Sequence, residues 1–224
     1  YAEGSLPEFY TGSFNDLYKK LNTKPAVKTE YVLSLNQDAT YTFSSVDTNS
    51  NAYILIDFNG HDFNAPGSNN IFQVTGNYHL TIDGKDRDGN ISEVICTGTA
   101  GSLVYPRVND GLNENSVIVI SNLKMTYTNL SQAFSNTSPY NNQQIFHIPA
   151  GNITFNNVDM TYTGEDATTT DEVNKPLTSM VTDLVRIYGN ATAVFNNCSV
   201  TDINTKGIPA KCLVVNGNAN VVLN

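Results

Sequence analysis

Three side chains with chemical potential stand at matching places in this sequence, each just ahead of a turn phrase, and a fourth lies within one. Gln73 precedes Val74-Thr75-Gly76-Asn77, and His147 precedes Ile148-Pro149-Ala150-Gly151-Asn152. Arg186 precedes Ile187-Tyr188-Gly189-Asn190, which also holds Tyr188. An imidazole can exchange a proton near neutral pH. A guanidinium can hold an anion in a fixed fork, and a phenol or amide can hydrogen-bond a sugar hydroxyl. Gln73, His147, Arg186 and Tyr188 therefore carry groups able to engage a polar ligand. Were the protein an enzyme, Arg186 and His147 would be its catalytic candidates. The paired carboxylates that glycoside hydrolysis uses are not visible at these places, which favours binding over catalysis.

A second cluster is acidic: Asp57, Asp62, Asp83, Asp86 and Asp88, with Lys85 and Arg87 among them. Asp83, Asp86 and Asp88 are the candidate Ca²⁺ ligands, since Ca²⁺ takes oxygen-rich sites. The glycine in Asp86-Arg87-Asp88-Gly89-Asn90 falls one place after the second aspartate, which is not EF-hand spacing, and Lys85 and Arg87 offset the charge. A solvated loop is the preferred reading, so no cofactor is called for and Ca²⁺ is the one left open. His61 and His79 lack Cys or His partners at zinc spacing. Cys96, Cys198 and Cys212 make no even framework and read as free thiols, with a Cys198–Cys212 bridge as the alternative.

The elements that must position these residues repeat. The phrase apolar, polar, Gly or Asn, apolar recurs in Ile82-Asp83-Gly84-Lys85, Ile120-Ser121-Asn122-Leu123, Phe155-Asn156-Asn157-Val158 and Phe195-Asn196-Asn197-Cys198. Phe58-Asn59-Gly60-His61 is read as the first copy, and Leu223-Asn224 opens another. Gly and Asn tolerate positive φ best, so each phrase predicts a strand, a left-handed turn residue and a second strand. The Gly-Asn turns keep register with these phrases: Gly76 to Ile82, Gly189 to Phe195 and Gly217 to Leu223 are equally spaced. A third strand follows, as Met125-Thr126-Tyr127-Thr128 and Met160-Thr161-Tyr162-Thr163. The predicted coil is strand, Gly-Asn turn, strand, left-handed turn, strand and a variable loop, with long loops near 106–115, 129–144 and 164–180. Such units bury their apolar faces only by stacking. A β-sandwich would not hold Asn or Gly at one register position.

Residues 1–30 read as an N-terminal cap and 31–224 as the repeat region. Ser13 can cap a short helix in which Phe14, Leu17, Tyr18 and Leu21 share a face, and Pro25 ends it. The chain has 224 residues, 40% hydrophobic and only 15% charged, with a formal charge of −9. An acidic chain without a basic patch does not match nucleic acid or anionic membrane, and no run of 18 apolar residues exists to insert into a bilayer. The start at Tyr1 suggests a trimmed form. The end in mid-phrase suggests that more chain, or a neighbouring subunit, covers the last coil.

This arrangement resembles the right-handed parallel β-helix of the pectin-lyase-like superfamily, with three-strand coils. The stretch Ile54-Leu55-Ile56-Asp57-Phe58-Asn59-Gly60-His61-Asp62-Phe63 also looks like a coil of β-helix regions in large bacterial surface proteins. The resemblance implies an all-β fold with a short capping helix. It also implies a structural ladder at Asn59, Asp83, Ser121, Asn156 and Asn196, reaching Asn224. It places Gln73, His147, Arg186 and Val214 in one outward column of the usual binding face, with Thr75, Tyr188 and Asn216 in the next, which implies Gln73, His147, Arg186 and Tyr188 as the candidate ligand-binding set for a polar or sugar ligand. Pectate lyases of the superfamily use an arginine base and aspartate-held Ca²⁺. Arg186 matches by place, while Asp183 is the nearest aspartate. Of the polygalacturonase motifs only Arg186-Ile187 is present, followed by Tyr188 in place of lysine. Tyr127 and Tyr162 read as packing or as a stacked pair on neighbouring coils.

The expectation is an extracellular or cell-surface module for adhesion or carbohydrate recognition, non-catalytic, whose partner is a polysaccharide or cell-surface glycan. A polysaccharide lyase or glycoside hydrolase is the first alternative. A structural unit stacking head-to-tail is the second.

Overall fold

The computed structural model describes residues 8–10, 24–41, 46–47, 49, 51–66, 71–74, 79–97, 103–106, 115–127, 145–163, 183–203 and 211–224. Among them there is no helix, and the helix expected over 14–21 lies outside the described residues. β1 (Glu8–Tyr10), inside the stretch read as a cap, pairs in parallel with β2 (Thr29–Ser34).

The strands fall into three columns. One contains β1, β2, β5 (Ala52–Asp57), β8 (His79–Asp83), the first half of β11 (Val117–Tyr127), the first half of β13 (Asn152–Tyr162), β15 (Thr192–Asn196) and β18 (Asn220–Leu223), in that order. A second contains β3 (Ala39–Thr40), β6 (Phe63–Ala65), β9 (Ser92–Cys96), the second halves of β11 and β13, and β16 (Ser199–Asp202). The third is made of two three-stranded sheets. These are β4 (Val46–Asp47), β7 (Phe72–Val74) and β10 (Val104–Pro106), then β12 (Phe146–Ile148), β14 (Asp183–Ile187) and β17 (Lys211–Val215). Every pairing of these strands is parallel, so each strand pairs with its counterpart a full repeat away. That is how a parallel pair must be connected.

Alternation along the strands sends one face inward. Leu33, Ile56, Ile82, Ile120, Phe155 and Phe195 stand in register and are buried. Phe155 stacks on Phe195 at 4.7 Å and meets Phe146 edge-on at 4.8 Å. Each such side chain stabilises the fold by about 1.5–3 kcal/mol on burial. Tyr127 and Tyr162 are in register and both buried, so they serve packing.

The turn phrase works through its third residue. Asn122, Asn157 and Asn197 have φ of 55°, 53° and 51°, and each bends one strand run into the next column. Their side chains form a line that sequence reasoning missed. Asn197 Nδ2 donates to Asn157 Oδ1 (2.9 Å), Asn157 to Asn122 Oδ1 (3.1 Å), and Asn122 to Asp83 Oδ1 (3.0 Å). The expected ladder runs beside it. Asn224 Nδ2 donates to Asn196 Oδ1 (2.8 Å), Asn196 to Asn156 Oδ1 (2.8 Å), and Asn156 to Ser121 Oγ (3.1 Å).

Three details of the repeat differ from expectation. Asp57, not Asn59, stands opposite Asp83, so Asn59 leaves the ladder and donates instead to the Leu35 carbonyl at 3.2 Å. Two extra residues widen that corner, where both Asn59 and Gly60 have positive φ. Gly84 is not left-handed; it is needed because a Cβ there would lie 2.3 Å from the Asn122 carbonyl oxygen. Lys85 does not open a strand, because residues 85–91 are an inserted loop and Ser92 takes the place opposite Leu123. A glycine-containing copy of a phrase therefore looks like its neighbours in sequence while the backbone follows another course.

Candidate functional site

β12 and β14 set the site. His147 and Arg186 are register partners, and Arg186 in turn faces Val214 on β17. The expected register of His147, Arg186 and Val214 thus holds over these three strands. Tyr188 follows β14, its amide donating to the Ile148 carbonyl at 3.0 Å. Its backbone then enters the turn at Gly189, which has φ of 64° and approaches the Pro149 carbonyl so closely that a Cβ would lie 2.4 Å from it. Only glycine fits there, and this close approach anchors Tyr188 next to β12.

From that anchor the Tyr188 ring reaches back diagonally. Its hydroxyl is 2.6 Å from His147 Nε2, and the two rings lie 4.9 Å apart at 44°. The Arg186 guanidinium carbon is 5.2 Å from the centre of the Tyr188 ring, a cation–π distance. His147 is only 8% exposed. Burial, and then the positive charge of Arg186, push its pKa down from 6.5 to about 4. At neutral pH the imidazole is uncharged, so one nitrogen accepts and the other donates. His147, 41 residues from Tyr188 in sequence, joins it and Arg186 in one pre-organised polar and aromatic patch.

Gln73 is not part of that cluster. β7 pairs with β10 on one side and β4 on the other, so Tyr105 and Asp47 are the register partners of Gln73. β10 lies between β7 and β12. Its three residues, Val104-Tyr105-Pro106, carry neither the Gly-Asn turn nor a long apolar run, so nothing in the sequence marks it as a strand. Thr75 lies outside the described residues.

The acidic cluster is occupied by its own loop. Asp86 Oδ1 accepts from the amides of Asp88 (2.9 Å) and Asn90 (2.7 Å), and its Oδ2 accepts from Asn90 Nδ2 at 2.6 Å. These bonds, the Asn90 side chain first, hold the Asp86 carboxyl below its usual pKa. Asp83 Oδ1 accepts from the Lys85 amide at 3.0 Å as well as from Asn122, and Asp88 lies 3.8 Å from the Arg87 side chain. Among the described residues no three His, Cys, Asp or Glu side chains gather as a metal-holding group. No described helix is long and apolar enough to cross a membrane.

Two other ring groups were not anticipated. Tyr53 and His79, opposite each other on β5 and β8, stack at 4.4 Å and 13° with Lys28 Nζ 5.7 Å from the Tyr53 ring centre. Each ring covers one face of the other. The three thiols are free, with Cys96 buried, so no Cys198–Cys212 bridge forms. Burial raises the Cys96 pKa to about 11. No protein-family model, no curated protein and no solved structure matches this chain.

Proposed function

We propose that this chain is a right-handed parallel β-helix of the pectin-lyase-like kind, and that it works outside the cell or at its surface as a non-catalytic module that recognises glycans. Three columns of parallel strands, left-handed asparagines at one corner and amide ladders support the architecture. Parallel crossovers are right-handed in nearly all known sheets.

The observation that carries the functional reading is the bond between His147 and Tyr188 beneath Arg186. A general base works best with a pKa near the working pH. His147, at about 4, is a weak base fixed as a hydrogen-bonding group. A polar patch built on a sheet suits the hydroxyls of a sugar, because its groups are held in place before the ligand arrives.

The second reading, a polysaccharide lyase or hydrolase, is favoured by one feature: the Arg186 charge lies 5.2 Å from the ring of a phenol that is hydrogen-bonded to His147. Incubating the purified chain with polysaccharides, with and without Ca²⁺, separates the two. Retention without product release, weakened by Arg186→Ala and Tyr188→Phe, supports recognition. Unsaturated or reducing-end products lost in Arg186→Ala overturn it in favour of the enzyme. Neither retention nor products would overturn both.

A further inference from the structure

The chain contains two Asn-Gly pairs, Asn59-Gly60 and Asn216-Gly217. Asparagine is a thermolabile residue, and a following glycine sets no side chain in the way of its attacking nitrogen. The reaction is the same for both pairs. The glycine backbone nitrogen gives its proton to solvent and attacks the asparagine Cγ. A new C–N bond closes a cyclic imide, while the bond from Cγ to the side-chain nitrogen breaks and that nitrogen leaves as ammonia. Water then cleaves the imide. Cleavage at Cγ leaves aspartate, and cleavage at the main-chain carbonyl leaves isoaspartate. An amide is exchanged for a carboxylate, with water as the co-reactant and no change of oxidation state.

The fold holds the two pairs differently. Asn59 is half-buried at its corner. Its amide donates to Asp57 Oδ1 at 2.8 Å, and its Nδ2 donates to the Leu35 carbonyl at 3.2 Å. The Gly60 amide, the would-be nucleophile, donates to the Gly84 carbonyl at 3.3 Å. Leu35 belongs to the coil on one side and Gly84 to the coil on the other. Ring closure at Asn59 must therefore break a bond to each neighbouring coil before Cγ and the glycine nitrogen can meet.

Asn216 follows β17 and is exposed, as are Val215, Gly217 and Asn218 around it. Its own amide donates to the Ile187 carbonyl at 3.1 Å, which sets it one coil from Tyr188, whose amide binds the Ile148 carbonyl in the same way. The bonding stops there. Among the described residues, neither the Asn216 side chain nor the Gly217 amide has a hydrogen-bond partner. Both reacting groups are thus open to water, with no tertiary bond to break first.

We propose that Asn216 is a site of spontaneous covalent modification, converting to isoaspartate and aspartate in the folded chain while Asn59 is protected. The change puts a negative charge one coil from Tyr188, on the sheet that carries Arg186. The inference is independent of the glycan reading. The test incubates the whole chain in warm, mildly alkaline buffer, with circular dichroism to check that the fold is kept. A parallel sample is held in guanidinium chloride. Peptide mapping by mass spectrometry, with enzymatic methylation to mark isoaspartate, follows both asparagines over time. In the folded chain Asn216 should convert at least about tenfold faster than Asn59, because a group locked in native hydrogen bonds reacts only from a locally opened state. In guanidinium chloride the two rates should come together. If the warm buffer unfolds the chain, the same comparison is made in the cold over a longer time, with the same expected ratio. Comparable rates in the folded chain, a faster Asn59, or no conversion at Asn216 would each overturn the proposal. A difference that persists in guanidinium chloride would assign it to the flanking residues and overturn the role of the fold.

Discussion

His147 and Tyr188 lie 41 residues apart in sequence, yet His147 Nε2 and the Tyr188 hydroxyl meet at 2.6 Å. The contact exists because β12 and β14 are register partners and the turn at Gly189 holds Tyr188 against β12. It couples a buried imidazole to a face that bears a positive charge.

The coupling has a pH signature. The His147 pKa is depressed from 6.5 to about 4 in the folded state. Below pH 6.5 the unfolded chain takes up a proton that the folded chain refuses. The stability tied to His147 is thus complete above 6.5 and is lost as the pH falls towards 4. The slope is at most about 1.4 kcal/mol per pH unit. Urea titrations at several pH values should show His147→Gln flatter than the parent over this window. A His147 ring that titrates near 6.5 by NMR would refute the assignment.

The ladder makes a prediction about place. Asn156 donates to Ser121 and accepts from Asn196, so Asn156→Ala breaks two links inside the stack. Asn218, at the exposed turn, makes a longer contact of 3.4 Å to Asn190. Chemical denaturation should show Asn156→Ala less stable by about 1–3 kcal/mol. Asn218→Ala should stay within about 0.5 kcal/mol, as at ordinary surface sites. Equal losses would mean the interior amides are merely solvated.

Gly84 and Gly89 separate two reasons for glycine. At Gly84 φ is ordinary, but a Cβ would collide with the Asn122 carbonyl and the Leu123 side chain at 2.3 and 2.4 Å. At Gly89 φ is +94° and the nearest atom is 3.9 Å away. Gly89→Ala should therefore cost about 1–2 kcal/mol from the dihedral alone. Gly84→Ala must displace backbone and should cost more, read as a larger drop in thermal midpoint. The reverse order would show that β8 and β11 do not approach in this way.

Asp57 and Asp83 stand opposite each other. Burial above all raises the Asp57 pKa over 3.8, and the Asp83 charge adds to it, while a hydrogen bond from the Asn59 amide opposes it. A carboxyl raised in the folded state weakens the fold at neutral pH and regains that stability as it protonates on acidification. Asp57→Asn keeps the acceptor for the Asn59 amide, 2.8 Å away, and removes the repulsion. At neutral pH it should stabilise by a few tenths to about 1 kcal/mol, with the gain shrinking as the parent protonates. A loss of stability at neutral pH would sink the idea.

The sequence by itself determined the order of the coil: strand, Gly-Asn turn, strand, left-handed Asn, strand. It did so because positive φ is costly to most residues, so Asn122, Asn157 and Asn197 mark corners wherever they recur. It also determined that His147, Arg186 and Val214 share a column, since the Gly-Asn turns carry the register. Tertiary structure decided where insertions go. Asn59-Gly60 looks like a corner in step with Asp83-Gly84, but only the pairing of Asp57 with Asp83 shows the slip, because inter-strand hydrogen bonds choose the register and local propensity does not. It decided that β10 comes between Gln73 and His147. It also decided that Tyr188 turns back to His147, because a side chain's diagonal reach depends on the backbone of the neighbouring coil, which no local stretch of residues encodes.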